Sequence, residues 1–255
     1  MNNKPIHIIG GGLAGVEAAW QISKRNIPVI LHEMRPKVMS EAHKTDSLAE
    51  LVCSNSFRSD DDKNNAVGLL HTEMRNLDSL VMKCGDLNRV PAGSSMAVDR
   101  EGFSKSIENA ISTNQMITIK REEISEIPSD WIKTIISTGP LTSKNLSSFI
   151  QKLTGEKYLD FFDAIAPIIY TESIDFDIAW YQSRYDKSNF DGDGKDYINC
   201  PMDESEYNQL VDELLSSDKN NFKEWEKNTP YFESCLPIEE IAKRGRQTLR
   251  WGPLK

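Results

Sequence analysis

Short apolar runs alternate with amphipathic stretches along the first part of the chain. The apolar run at residues 6–9 stops at three consecutive glycines, and a stretch rich in alanine and glutamate follows it as far as Lys24. A second apolar run covers residues 28–32 and ends at Glu33. A strand, a tight turn, a helix and a second strand in this order require a right-handed crossover. The pattern therefore predicts two parallel strands of one sheet.

Further periodic segments extend this alternation. We predict a helix over residues 66–83, a second helix around Phe103, and strands over residues 116–120 and 132–137. The apolar stripe of the first of these helices would consist of Leu70, Met74, Leu77 and Val81. Alternating strands and helices are typical of α/β proteins with a parallel sheet. The fold class predicted for this part is α/β, with a Rossmann-like domain.

After Pro140 the sequence contains more aromatic and acidic residues and fewer strand–helix alternations. Asp203 and Glu206 have the spacing of a capping box, in which each side chain accepts a hydrogen bond from the backbone of the other residue. We expect a helix to begin there, with Tyr207, Leu210, Val211 and Leu214 on its apolar face.

Composition and charge exclude several classes of protein. The 255 residues are 38% hydrophobic, which is enough to bury a core, and no run approaches the roughly 18 apolar residues that a membrane span needs. The start of the chain has no pattern of a secretory signal, so we expect a cytoplasmic protein without a membrane partner. The formal charge is -9 and is uneven, with a net -14 over residues 156–240 and a net +5 from Ala242 onward. The basic end could contact a phosphate backbone or could simply be a solvated terminal segment.

The four cysteines, at positions 53, 84, 200 and 235, form no CxxC pair. Free thiols are the expectation in the cytosol, where disulfides are rare. Structural zinc sites usually take closely spaced pairs of ligands, so no metal site is expected.

The three glycines begin a dinucleotide-binding pattern. Gly10, Gly12 and Gly15 satisfy G-x-G-x-x-G between a predicted strand and a predicted helix. The first glycine permits the turn, the second admits a pyrophosphate, and the third allows close packing of helix on strand. Glu33 lies 18 residues after Gly15, where a carboxylate would accept hydrogen bonds from both ribose hydroxyls and would disfavour a 2′-phosphate.

FAD and NAD both fit this pattern better than NADP. The predicted strand that ends at Ser137-Thr138-Gly139 is similar to the second glycine signature of two-dinucleotide flavoproteins, which favours FAD. The candidate cofactor-binding residues are Gly10, Gly11, Gly12, Leu13, Ala14, Gly15, Glu33, Arg35, Thr138 and Gly139.

Longer segments resemble one family, the folate- and FAD-dependent tRNA (uracil-5-)-methyltransferases, also called TrmFO or small Gid proteins. The resemblance covers essentially the whole chain, and several matching segments have no general structural rationale. They are GGGLAGVEAAWQISKRNIPVILHEMR (10–35), LVCSNSFR (51–58), NAVGLLHTEMRNLDSL (65–80), RVPAGSSMAVDR (89–100), TGPLTS (138–143), SRYDK (183–187), NCPM (199–202) and FESCLPIE (232–239).

The resemblance implies a glutathione-reductase-type FAD-binding fold and a specific reaction. Family members methylate C5 of the T-loop uridine of tRNA, taking the carbon from methylenetetrahydrofolate and the electrons from FAD reduced by NAD(P)H. C5 of uracil is a weak nucleophile until a group adds at C6, and a base must later remove the C5 proton. Within the matching segments, we assign Cys235 to the attack on C6 and Cys53 to the proton-removing or second thiol role. Cys200 is interpreted as structural.

The resemblance also implies a domain plan and a continuation. We expect residues 1–140 to form an incomplete FAD-binding domain, residues 141–240 an inserted α+β domain on the tRNA side, and residues 241–255 the return to the first domain. Family members continue past the segment RWGPLK, so a C-terminal half is expected to be missing or to be supplied separately. Two alternatives stay open: the related flavoprotein that builds carboxymethylaminomethyl groups on wobble uridines, and an inactive FAD- or RNA-binding fragment.

Overall fold

The computed structural model describes residues 4–40, 42–155, 169–183, 194–218 and 237–251. The chain divides into two compact units. The first contains Met1–Leu159 and Ser183–Asp196, and the second contains Asp160–Gln182 and Tyr197–Lys255. The domain boundaries expected from the sequence stay a prediction.

The first unit is built on a four-stranded parallel sheet. Its strands are β1 (Ile6–Ile9), β2 (Val29–Glu33), β6 (Ile117–Arg121) and β7 (Thr134–Ile136), in the spatial order β6-β2-β1-β7. Helix α1 (Leu13–Ser23) forms the crossover between β1 and β2. The Rossmann-like α/β fold predicted from the sequence is thereby confirmed, with strand ends displaced by one or two residues.

The order of these strands determines where a ligand can bind. Along the chain, strands are added on one side of β1 from β2 to β6, and β7 is then placed on its other side. In open α/β sheets, ligands bind beyond the carboxyl ends of the strands at such a switch point. The glycines after β1 and the segment after β7 are therefore brought to the same crevice.

A small antiparallel sheet and four more helices complete the described part of this unit. The sheet has the order β3-β5-β4, from β3 (Ser56–Ser59), β4 (Arg89–Val90) and β5 (Ser95–Val98). The helices are α2 (Ala66–Asn76), α3 (Leu80–Leu87), α4 (Arg100–Ser112) and α5 (Lys144–Thr154). Side chains of β1, β2, α1, α3 and α4 form one continuous apolar core that includes Ile8, Leu31 and Phe103.

The prediction of one helix over residues 66–83 is wrong. The chain forms α2 and α3 with a break at residues 77–79, where Asp78 has a positive φ of 58°. Ser79 caps α3 by accepting a hydrogen bond from the Met82 N–H, and the Glu17 carboxylate of α1 accepts hydrogen bonds from the Ser79 hydroxyl and the Val81 N–H. These contacts turn the chain, so Leu77 is 70% exposed instead of belonging to a buried stripe.

The second unit has short elements in its described part. They are the hairpin of β8 (Trp180–Gln182) and β9 (Tyr197–Asn199), helices α6 (Glu204–Ser216) and α7 (Ile238–Lys243), and 3₁₀ turns at Thr171–Ser173 and Thr248–Trp251. The predicted capping box is confirmed, because Asp203 and Glu206 each accept a hydrogen bond from the backbone of the other. Tyr207, Val211, Ala242 and Leu249 form a small core. No helix in the described ranges of the chain has the length and apolar character of a membrane span.

Candidate functional site

A cavity of about 300 Å³ lies in the first unit beyond the carboxyl ends of β1 and β7. It is lined by nine of the ten candidate cofactor-binding residues, all except Gly15. His43, Glu50 and Glu122 also line it and were not among the predicted residues. No local pattern singled them out, because they lie in loops whose path depends on the tertiary structure.

Gly10 and Gly15 hold the turn itself together. Gly10 has a positive φ of 106°, and a Cβ on it would lie 2.8 Å from the Ser137 carbonyl oxygen. A Cβ on Gly15 would lie 1.8 Å from the Gly10 carbonyl oxygen, far inside van der Waals contact. Helix α1 can therefore begin directly against β1 only if residue 15 has no side chain, which agrees with the packing role expected of the third glycine.

Gly12 faces open space. It is the N-cap of α1, no side chain caps the helix there, and nothing lies within 4 Å of the position that a Cβ would take. The first N–H groups of an α-helix have no partner within the helix and carry a partial positive charge. This geometry suits an anionic group such as a pyrophosphate approaching the backbone closely.

The Glu33 carboxylate is buried at the end of β2, with most of its acceptor capacity in use. One oxygen accepts hydrogen bonds from the Arg35 backbone N–H (3.0 Å) and Nε (2.9 Å), and the other accepts one from the Gly11 N–H (2.9 Å). A carboxylate has about four lone-pair positions, so about one is left. We therefore expect Glu33 to bind one ribose hydroxyl strongly, not both as the sequence suggested.

Electrostatics keep this carboxylate ionised. Burial alone would raise the pKa of Glu33, but hydrogen bonds from Arg35 and Gly11 outweigh burial, and the pKa lies below the usual range of a glutamate. A Cβ on Gly11 would lie 2.7 Å from a Glu33 carboxylate oxygen. Gly11 therefore has a role of its own, because only glycine lets the turn donate to this carboxylate at such close range.

Arg35 is fully buried and acts on Glu33 and the following loop. Its guanidinium donates to Glu33, to the Thr45 carbonyl oxygen (3.2 Å) and to the Glu50 carboxylate (2.9 Å). The Glu50 carboxylate in turn accepts hydrogen bonds from the backbone of Lys44 and Thr45. The Arg35 side chain, which the sequence predicts to bind the cofactor directly, thus fixes the loop that forms one wall of the cavity and orients the Glu33 carboxylate.

The segment after β7 forms the opposite wall. The Ser137 hydroxyl bonds the carbonyl oxygens of Ile9 and Gly10 at 3.0 and 3.2 Å, which ties this segment to the glycine turn. Thr138 bonds the Thr142 hydroxyl at 2.6 Å, and Gly139 has a positive φ of 59° at the start of a 3₁₀ turn. Thr138 and Gly139 are therefore positioned beside the first glycine, as the predicted second signature requires.

A hydrogen-bonded relay of two histidines runs beneath the cavity. Glu122 accepts from His32 Nδ1 (3.0 Å), so the neutral His32 ring must accept at Nε2, where His7 Nδ1 donates (2.9 Å). Trp131 stacks on the His7 ring with centroids 3.6 Å apart. Burial lowers the pKa of His32, and both rings are buried and hydrogen-bonded.

The predicted cysteine pair cannot be described as a pair, because Cys235 lies outside the described residues. Cys53 is partly buried, and its carbonyl oxygen accepts a hydrogen bond from an Arg100 guanidinium N–H at 2.7 Å. Cys84 is buried inside α3, and burial raises the pKa of its thiol. Cys200 is exposed, which is not the placement expected of a structural cysteine.

Two further arginines make contacts within the first unit: Arg89 pairs with Asp60 at 2.7 Å, and Arg100 donates to the Cys53 carbonyl oxygen. Among the residues whose placement is described, no group of three or more potential ligands from His, Cys, Asp and Glu could hold a metal ion.

Comparisons with known proteins give consistent matches. The model of the family described as Glucose inhibited division protein A matches residues 5–255. Proteins named methylenetetrahydrofolate–tRNA-(uracil-5-)-methyltransferase TrmFO are 63% identical in Bartonella henselae and 59% identical in Rhodopseudomonas palustris, covering 98% and 100% of this chain but 53% of each relative. The chain thus spans about half the length of these relatives. A crystal structure of Aquifex aeolicus GidA has a TM-score of 0.43 and 16% identity, covering 53% of this chain and 25% of that one.

Proposed function

The chain belongs to the glucose inhibited division protein A family, and on that premise we propose that it carries the FAD site of a tRNA (uracil-5-)-methyltransferase. The observation that carries this proposal is the crevice at the switch point, where an open Gly12 at a helix N-terminus lies beside the buried, ionised Glu33. The names of the relatives supply the reaction: the carbon donor is methylenetetrahydrofolate and the acceptor is uracil in tRNA.

The residues of the crevice fit FAD. The Gly10–Gly12 turn and the first N–H groups of α1 would hold the pyrophosphate, and the remaining lone pair of Glu33 would accept a ribose hydroxyl. Buried Glu33 and the Glu50 beside it leave no place for a 2′-phosphate at this point, which favours FAD over NADP here. When bound, FAD supplies the hydride that completes the methyl group. NADH or NADPH would then act as the external reductant.

The thiols of this chain would act on the uracil ring. We propose that Cys235 adds to C6, which makes C5 nucleophilic towards the methylene carbon, and that Cys53 removes the C5 proton. The bond from the methylene carbon to tetrahydrofolate would then break, and Cys235 would leave C6 as the hydride is added, which restores the uracil ring. The hydrogen bond from Arg100 to the Cys53 carbonyl holds the backbone of the proposed base in place. Polar neighbours on both sides, Ser54 and Asn55 near one thiol and Glu233 and Ser234 near the other, suit reactive groups better than core packing.

The proposal has consequences for partners and location. The partners would be tRNA and folate, in the cytoplasm where both are available. Because the relatives are about twice as long, we propose that a second half of the protein contributes to the complete enzyme, whether it is joined to this chain or supplied as a separate polypeptide.

Isotope transfer tests the proposed reaction. The chain would be incubated with FAD, NADH or NADPH, methylenetetrahydrofolate labelled at the methylene carbon, and an unmodified tRNA transcript. We expect the label in 5-methyluridine of the T loop, and no label in a transcript whose T-loop uridine is replaced by cytidine. Label in the wobble uridine would instead identify the carboxymethylaminomethyl-forming alternative. Stoichiometric FAD without any transfer would support the inactive fragment.

A further inference from the structure

A second cavity, of about 700 Å³, lies entirely within the second unit. It is bordered by the β8–β9 hairpin, the NCPM segment that follows it, the start of α6 and the 3₁₀ turn at Thr248–Trp251. The proposed FAD site uses none of these residues. A volume of this size is within the range of small-molecule sites and is ample for one nucleotide.

The chemistry of the walls is that of a site for a flat polar ring. Trp180 presents an indole that is 45% exposed, and its Nε1 donates to Gln182 within the hairpin, which fixes the ring. The Asn199 amide nitrogen already donates to the carbonyl oxygens of Gln182 and Tyr197, so this side chain offers its amide oxygen as an acceptor. The Gln247 oxygen accepts from Arg250, so Gln247 offers mainly its amide N–H groups as donors. One acceptor and one donor group can meet the edge of a nucleobase. An aromatic face combined with amide groups is how proteins bind unstacked bases of single-stranded RNA.

Among the described residues that line the cavity, three are charged. Arg250 is the cation of the lining, and its guanidinium donates to the Gln247 carboxamide at 3.0 Å. Two carboxylates belong to the lining, but Asp203 is occupied as the cap of α6. Glu204 is then the remaining acid, and a carboxylate of this kind can accept a hydrogen bond from a ribose 2′-hydroxyl, a group that DNA lacks.

We propose that this cavity binds one unstacked nucleotide of the RNA substrate, with the base stacked on Trp180 and the phosphate near Arg250. That the ligand is RNA rests on the proposed function. The position of the site follows from the residues that line the cavity. The exposed aromatic residues of the hairpin support an extended RNA contact, because Tyr181 and Tyr197 are also 47% and 39% exposed. The cavity would hold the loop strand while chemistry takes place elsewhere.

Cys200 provides a built-in reporter of occupancy. It lines the cavity and is exposed, whereas Cys84 is buried in the core of the other unit. A nucleotide in the cavity must cover the Cys200 thiol, so the RNA should slow its alkylation by iodoacetamide. The rate can be followed by mass spectrometry of the peptide that contains it.

The first experiment measures binding of an RNA hairpin that reproduces the T arm of tRNA, by fluorescence anisotropy at several salt concentrations. Removing one base stack by Trp180→Ala should weaken binding roughly 5- to 100-fold, and Trp180→Phe should restore most of it. Arg250→Gln should make the dependence of log affinity on log salt concentration less steep, by about the amount that one phosphate contact contributes. Tyr170→Ala is the matched control, because Tyr170 is 78% exposed but does not line the cavity.

The second experiment measures Cys200 alkylation with and without the same RNA hairpin. We expect at least about fivefold protection in the wild type and little in Trp180→Ala, as the weaker binding requires. Far-UV circular dichroism and thermal unfolding of each variant, compared with the wild type, show whether the second unit is still folded. Unchanged RNA affinity in Trp180→Ala together with an unprotected Cys200 would overturn the nucleotide site, even if methyl transfer to tRNA is observed. Protection of Cys200 without methyl transfer would instead support this site and contradict the proposed function.

Discussion

At the scale of single residues, two glycines of one turn have different roles, and alanine substitutions should separate them. Gly15→Ala places a methyl group against the Gly10 carbonyl oxygen, so we expect it to destabilise the chain by about 1–3 kcal/mol or more. Gly12→Ala meets no atom and costs only the poorer N-cap preference of alanine, about 0.5–1 kcal/mol. Its methyl group would occupy the space proposed for the pyrophosphate, so FAD affinity should fall about tenfold or more. Thermal unfolding and FAD fluorescence titration measure the two effects. Equal loss of stability in both variants would contradict this division of roles.

The ionisation of Glu33 should depend on Arg35. The pKa of Glu33 is lowered by hydrogen bonds from Arg35 and Gly11, so in the wild type the carboxylate stays ionised and FAD affinity should be nearly constant down to mildly acidic pH. Arg35→Met removes the side-chain hydrogen bond and the positive charge but keeps the backbone hydrogen bonds from residue 35 and Gly11. Burial is then less strongly opposed, the pKa of Glu33 rises, and FAD affinity should fall as the pH is lowered through it. The FAD dissociation constant of each protein between pH 8 and pH 5 (roughly the range where such a carboxyl titrates) is the measurement. Parallel pH profiles would show that Arg35 does not control this carboxylate.

The sequence predicted the glycine turn and Glu33 because their spacing alone defines their roles. It did not reveal that Arg35 binds Glu33 or that Glu50 anchors the loop through the backbone of Lys44 and Thr45, since these contacts depend on how the loop folds back. The sequence pattern placed Arg35 among the candidate cofactor-binding residues, with no partner inside the protein. Only the structure shows that its charge is used within the protein.

At the scale of elements, one buried carboxylate joins β3, α2 and β4. Asp60 follows β3 and accepts hydrogen bonds from His71 and Arg75 of α2 and from Arg89 of β4. Its side chain is only 5% exposed. Burial alone would raise its pKa, but these hydrogen bonds outweigh burial and lower the pKa of Asp60 to about 2.

This network should dominate the acid stability of the first unit. A lowered carboxyl pKa stabilises the fold above the unfolded value near 4, and the contribution is lost as the pH falls towards 2. The shift corresponds to about 2 kcal/mol. Asp60→Asn should therefore lower the free energy of unfolding at pH 7 by at least about that amount, because it leaves Arg75 and Arg89 without their buried partner. Urea titrations across this pH range should show the difference shrinking as the pH falls. Asp62→Asn, a change at an exposed carboxylate two residues away, is the control and should have little effect.

The break between α2 and α3 shows why the prediction of one helix over residues 66–83 was wrong. The helical spacing of apolar residues continues from α2 into α3, so the pattern alone predicts one helix. The break depends on Trp20 and Gln21 of α1, whose side chains donate to the Asp78 carbonyl oxygen, and on Glu17, which binds Ser79. A contact between residues about sixty positions apart thus decides where the helix ends, and periodicity cannot show it.

At the scale of the whole molecule, the sequence predicted the sheet of the first unit, whereas in the second unit it predicted helix α6 with its cap but not the strand pair or the cavity. The parallel sheet follows from local strand and helix patterns combined with the handedness of crossovers, and the strand order β6-β2-β1-β7 agrees with it. The described part of the second unit has a small core of four buried side chains and a pair of strands of three residues each, which give weak periodic signals. Its cavity is formed by segments that are distant in sequence, so it could be found only in three dimensions.

The length of the relatives leads to a prediction for the complete enzyme. The chain covers 53% of the Bartonella henselae protein, and the proposed activity belongs to the full length of such relatives. A chimera that continues from residue 255 with the remaining part of that relative should bind FAD more tightly than the chain alone and transfer methyl groups at least about tenfold faster, a change of roughly 1.4 kcal/mol in barrier. Flavin absorbance and labelled-carbon transfer to tRNA measure both properties. Cys53→Ala in the chimera should keep the flavin and lose the transfer, because only the proposed base is removed. Equal rates for the chain and the chimera would show that the activity needs no second half.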